Sequence, residues 1–184
     1  MSADGEAGAL QRLVELLHEQ GGLMATLVAA DVPDGEIRWA ASGPAQTAAS
    51  GPRASRARDE YELLVETIYE GYLLHYGAGR VVAPEEADLG LLAGDRLYAL
   101  GLARLVALGD IEAVAELADT ITLSALAQAA GEPALAEAVW EAGARAVGWG
   151  SGDAHAHAKR LAFARAPEAI EAMRTSAAGG PASS

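Results

Sequence analysis

Residues 91–110 read LLAGDRLYALGLARLVALGD, a run that is almost entirely apolar yet keeps Gly94, Asp95, Arg96, Gly101 and Arg104. Leu and Ala lead the helix-propensity ranking, so the stretch is expected to be helical. Gly94 and Gly101 stand seven residues apart, hence nearly on one side of a helix, and Gly90 lies close by. Together they make a low ridge on which a neighbouring backbone can come close. Asp95 and Arg104 lie roughly opposite each other around the axis, so each needs its own partner or water. Gly109 suits the left-handed residue that closes a helix, and Asp110 can cap the next one directly. The stretch therefore reads as a buried bundle helix with its charges at the rim.

The same period runs outward in both directions. Upstream, Tyr61, Leu64, Val65, Ile68, Tyr72 and His75 or Tyr76 share one face of a helix that opens at Asp59 and stops at Gly77–Gly79. Downstream, Val114, Leu117, Ala118, Ile121 and Ala125 mark a helix ending at Gly131. After Pro133, Leu135, Ala136, Val139, Trp140, Gly143 and Val147 mark another, with Glu141 placed to pair with Arg145. Asp153 is expected to cap a short helix through Arg165, and Pro167 to open a last turn or two. Near the start, Leu10, Leu13, Val14 and Leu17 form an amphipathic face, and a helical pattern resumes after Gly21–Gly22 as far as Asp31. Residues 32–58 are rich in Pro, Gly, Ser and Ala without a sustained period and read as a flexible linker. The expected organisation is a helical arm over 1–31, that linker, a core over 59–176 and a tail over 177–184. No segment alternates at period two, so the class is all-α, an antiparallel helical bundle. The expected core is Leu64, Val65, Ile68, Tyr72, Leu92, Leu97, Leu105, Val114, Leu117, Ile121, Val139 and Trp140.

Composition narrows the partners. The hydrophobic fraction is 51% but aromatics are 5%, so closely packed Ala, Leu and Val must supply the core. A formal charge of −13, with 13 Lys and Arg, argues against a nucleic-acid surface, because phosphate neutralisation needs clustered cations. The absence of cysteine removes disulfides, thiolate metal sites and cysteine nucleophiles, and fits a cytoplasmic location. The opening MSADGEAGALQRL has acids where a secretory signal carries bases, and Asp95, Arg96 and Arg104 interrupt the best candidate for a membrane span.

The order of words, IYEGYLLHYG, then LGLLAGDRLYALGLARLVALGD, then EAVAELADTITLSALAQAAGE, resembles the trans-isoprenyl diphosphate synthases, or polyprenyl synthetases, over about residues 60–131. In that family a helix ending Leu-Ile-His leads into the first aspartate-rich motif, and a Leu-Ala-Gly-Asp-Tyr/Phe-Leu helix follows. Leu73, Leu74 and His75 match the approach to the motif, and Leu92, Ala93, Gly94, Asp95 and Leu97 match the second helix. The resemblance implies an isoprenoid-synthase-like fold and a groove for an isoprenoid chain, lined here by Tyr72, His75, Tyr76 and Tyr98, with Gly94, Asp95 and Gly101 as structural residues. It does not imply the family's reaction. Ionising an allylic diphosphate takes Mg²⁺ held by two facing carboxylate clusters. Where the first should begin, the chain reads Tyr76, Gly77, Ala78, Gly79; the Arg-Arg-Gly word that grips diphosphate is reduced to Arg80; and residues 131–184 hold no second aspartate cluster.

Other candidates for chemistry are weak. His155 and His157 are two apart on a helix and diverge, whereas a helical zinc pair needs an i, i+4 spacing, so both read as a solvated helix start. His18 reads as surface and His75 as a satisfied core histidine. Glu85, Glu86 and Asp88 sit where acids favour a helix start. Ser124 and Ser151 have no histidine and acid at recognisable spacing, and Trp39, Trp140 and Trp149 are too scattered for a stacking platform. No catalytic residue, metal or cofactor is assigned. The expected role is a non-catalytic isoprenyl-synthase-like protein acting as a partner subunit, with a protein partner or a second copy, or as an isoprenoid-binding protein. The alternatives are a generic helical assembly module with no cavity wide enough for a prenyl tail, and one half of a two-component prenyl synthase.

Overall fold

The computed structural model describes residues 3–29 and 43–179, with side-chain environments from residue 8 onward. The helices are α1 (Ala3–Gln20), α2 (Gly22–Thr26), α3 (Pro44–Ser50), α4 (Arg58–Tyr76), α5 (Ala87–Leu108), α6 (Ile111–Ala129), α7 (Pro133–Trp149), α8 (Asp153–Phe163) and α9 (Ala169–Ala178), with a 3-10 turn at Pro52–Ala54. The architecture is all-α, a helical bundle. Among the described residues the one extended contact is a bridge between Val28 and Val82, and no helix is long and apolar enough to cross a membrane.

α4 is the axis. Every residue from Tyr61 to Tyr72 is buried, because α1, α3 and α5 all pack on it and α6 and α7 close the remaining side. α5 comes closest. A Cβ added at Gly94 would lie 3.0 Å from the Gly71 carbonyl oxygen, and one at Gly71 would lie 2.9 Å from that of Gly94. At Gly101 an added Cβ would meet Ile68 Cγ1 at 2.4 Å and the Leu64 carbonyl at 3.1 Å. The glycine ridge is thus the surface on which α4 and α5 meet backbone to backbone. Gly109 closes α5 at φ +79°, and the Asp110 carboxylate accepts the Ala113 N–H at 3.0 Å to open α6.

Several sequence expectations need correction. Leu92 is 64% exposed, since it lies roughly half a turn around α5 from the glycines that face α4. Val114 and Ile121 are only partly buried, and Ala118 is exposed; α6 instead turns Ala113, Leu117, Thr120, Leu123, Ser124 and Ala127 inward. The linker reading fails over residues 43–57. Ala45, Ala48, Ala49 and Ala54 are buried, and Gly51 meets Gly148 of α7 so closely that a Cβ would lie 2.1 Å from its carbonyl oxygen. Small residues there serve close packing rather than freedom. Residues 32–42 of the linker, Trp39 among them, lie outside the described residues, as does residue 180 onward, while Arg58 opens α4. Within the expected tail, Ala177 and Ala178 are helical and the Gly179 carbonyl accepts from Arg145 at 2.9 Å, so Arg145 is not turned to Glu141. α2 ends at Thr26 because Leu27 to Ala29 leave the helix to bond residues 81–83. α8 ends at Phe163, and its N-cap is Gly152 rather than Asp153. The arm docks on the core: Leu10, Leu13 and Leu17 of α1 join Leu63, Val81, Val82 and Leu97 in one apolar cluster.

The close approach predicts opposite outcomes for two glycine-to-alanine changes. Gly101→Ala should lose about 1–3 kcal/mol through overpacking despite Ala's better helix propensity, a fall of several degrees in Tm. Gly8→Ala, with nothing within 4 Å, should gain up to about 1 kcal/mol. Thermal melts of both proteins check this, and a Gly101→Ala chain as stable as wild type would contradict it.

Candidate functional site

Tyr72, His75 and Tyr76 leave the last turns of α4, and Tyr98 reaches them from α5. The structure brings all four together. His75 stacks on Tyr98 with ring centroids 5.3 Å apart and planes 5° from parallel. Tyr72 lies 5.3 Å from Tyr76 and 5.3 Å from Trp140 of α7, and Tyr69 contacts Trp140 edge-on at 4.8 Å. The Tyr72 hydroxyl accepts from Gln128 Nε2 of α6 at 2.6 Å. Burial pushes the Tyr72 and Tyr98 phenols upward, so both stay protonated. The rings pack on one another, with Tyr76 at the exposed end, which makes the region an aromatic stack tying four helices together. The cavity described below is not lined by any of these four side chains.

Gly94 lets the His75 ring sit against α5: a Cβ there would lie 2.8 Å from His75 Cδ2. The exposed Asp95 places Oδ1 3.2 Å from His75 Nε2, but at an angle that leaves Nε2 without a hydrogen bond. Arg104 turns the other way and gives Glu60 Oε1 two hydrogen bonds, at 2.8 and 3.0 Å.

α4 also carries Glu62, Glu66 and Glu70 at one-turn intervals, a stripe that the reading of its apolar face missed; the i, i+4, i+8 spacing was the available signal. All three are buried. Arg12 of α1 pairs with Glu62 at 2.6 Å. Glu70 Oε1 accepts the backbone N–H groups of Arg80, Val81 and Val82 at 2.7, 2.7 and 3.0 Å, while Arg80 pairs with both Glu66 and Glu70. Burial works against the Arg80 charge, but the two carboxylates outweigh it and hold its pKa above the usual value. Arg80 is thus consumed internally, with its guanidinium over the Tyr69 ring.

A second polar constellation lies at the far end. His155, expected at the surface, is buried, because α8 packs its first turns between α6 and α9. Its Nε2 is 3.1 Å from Glu116 Oε2, and its Nδ1 is 3.2 Å from Ser176 Oγ. Lys159 gives hydrogen bonds to Glu116 and Asp119, both at 2.8 Å. Burial raises the Glu116 pKa, but the hydrogen bonds from His155 and Lys159 more than reverse this and bring it down to about 2. The signal in the sequence was the i, i+4 pair of His155 and Lys159, matched by Glu116 and Asp119 one turn apart; Ser176 gave none. A cavity of about 290 Å³ opens beside this group, lined among others by Arg145, Trp149, His155 and Ser176. Among the described residues, no cluster of three or more His, Asp or Glu is arranged to hold a metal ion.

Set against known proteins, the chain matches no family model, no curated sequence and no solved structure.

The buried ion cluster predicts a large asymmetry. Arg80→Met should lose about 3–5 kcal/mol, because it strands Glu66 and Glu70 without a counter-charge. Urea denaturation at neutral pH measures it, and an unchanged midpoint would contradict the internal role given to Arg80.

Proposed function

We propose that the chain is an isoprenyl-synthase-like partner subunit, non-catalytic in prenyl transfer, that docks another protein along the outer side of α5. The observation that supports it best is the composition of that side. A helix apolar all round is normally covered all round. α5 is apolar over most of its circumference, its outer side broken by Asp88, Asp95 and Arg96, yet Leu91, Leu92, Ala99, Ala103, Val106 and Leu108 are exposed there, and Ile111 extends the row onto α6. Leu92, Ala99 and Val106 recur every seven residues, the spacing of a helix-to-helix seam.

Charge selects the kind of partner. Glu85, Glu86, Asp88 and Asp95 are exposed at the N-terminal end of the row, and Arg96 is the one fully exposed cation of α5. A second copy would bring another −13 and the same acids, which self-repulsion disfavours. The fitting occupant is an amphipathic helix with Leu- or Val-type anchors flanked by Lys or Arg. Holding an isoprenoid chain is the weaker reading, because the stacked rings of Tyr72, Tyr76, Tyr98 and Trp140 occupy the groove that such a chain would need.

Native mass spectrometry of the chain gently purified from its own cells tests this. The expected result is a complex with one other protein, which Leu92→Glu with Val106→Glu reduces to monomer while the fold is retained by circular dichroism. A self-dimer, a lipid adduct on a lone chain, or a complex indifferent to both substitutions would each overturn it.

A further inference from the structure

The Ser176–His155–Glu116 group is independent of the α5 surface, and its geometry is that of a nucleophile, a base and an orienting acid. Glu116 is fixed from two sides: Oε1 accepts from Lys159 at 2.8 Å and Oε2 faces His155 Nε2 at 3.1 Å. An ionised carboxylate in that place makes Nε2 the protonated nitrogen. Nδ1 is then an open lone pair, 3.2 Å from Ser176 Oγ. The Ser176 hydroxyl can rest on the Met173 carbonyl at 2.8 Å, one turn back on α9, or turn its proton to Nδ1. A buried cross-tie between α6, α8 and α9 needs neither a cavity nor a cation without a carboxylate partner beside it, and here both are present among the described residues.

The cavity, about 290 Å³, lies between α7, the start of α8 and the end of α9, so it takes a small molecule. Its apolar wall is Ala142, Ala146 and Trp149. The first turn of α8 borders it without a side-chain cap, which leaves backbone N–H donors on the wall. Arg145 stands over the Trp149 ring at 3.7 Å and bonds the Gly179 carbonyl. Among the described residues it has no carboxylate partner. The one acid on the wall, Asp153, is exposed.

We propose that Ser176, His155 and Glu116 form a hydrolytic relay for a small ester whose acyl part ends in a carboxylate held by Arg145. Ser176 Oγ forms a bond to the acyl carbon as its proton passes to His155 Nδ1. The ester C–O bond breaks and the leaving oxygen takes that proton. Water then attacks the acyl-serine, giving its proton through His155 back to Ser176 Oγ and releasing the dicarboxylate.

An alkyl fluorophosphonate probe and the hemisuccinate ester of p-nitrophenol test this on the full chain. One probe adduct per chain is expected, located on Ser176 by peptide mass spectrometry and absent from Ser176→Ala. His155→Gln should slow labelling at least about 100-fold. Turnover of the hemisuccinate should require Ser176, and Arg145→Met should raise its KM about tenfold or more, removing any preference over p-nitrophenyl acetate. If His155→Gln fails to fold, Ser176→Ala, which removes a single part-buried hydroxyl, still decides. No adduct on Ser176 under conditions that saturate a serine hydrolase, or ester turnover equal in wild type and Ser176→Ala, would overturn the proposal.

Discussion

The contact between the α4 and α5 backbones organises the molecule. Gly71 faces Gly94, and Gly101 faces Ile68 and the Leu64 carbonyl, at separations that leave no space for a Cβ. Two consequences follow from bringing helices so close. α4 becomes enclosed on all sides, and whatever polar groups it carries must be satisfied inside the protein. The His75 ring is also brought flat against Tyr98, which seeds the aromatic stack shared with α6 and α7.

Enclosure explains the fate of the α4 carboxylates. Glu62, Glu66 and Glu70 cannot reach solvent, so Arg12 and Arg80 are drawn in as counter-charges, and Glu70 gathers three backbone N–H groups of the following segment. That segment is thereby fixed, and its Val82 pairs with Val28 beyond α2, which helps to hold the N-terminal helices on the core. With the polar groups of α4 satisfied internally, the exposed apolar row on the outer side of α5 is the surface that the proposed partner would cover.

Helices were largely legible because their signals are local. The apolar period, the φ +79° glycine at 109 and the Asp110 cap all act within a few residues. What the sequence concealed depends on distant partners. Leu92 looks like a core residue until the side of α5 facing α4 is known. Residues 43–57 look like a linker because Ala, Gly, Ser and Pro are as typical of loops as of very close packing, and only the approach of Gly148 tells which applies. His155 looked solvated because its acid and hydroxyl partners lie on other helices, 39 and 21 residues away. Tyr72, His75, Tyr76 and Tyr98 meet because three of them share one helix face, but a wall and a plug have the same sequence pattern.

The most direct test is a nuclear Overhauser measurement on the isotope-labelled chain in solution. Close contact predicts cross-peaks from the Gly101 α-protons to the Ile68 side chain and from the Gly94 α-protons to the His75 ring. Their absence, with both helices otherwise intact by chemical shift, would mean that α4 and α5 do not meet on the glycines and would contradict the account.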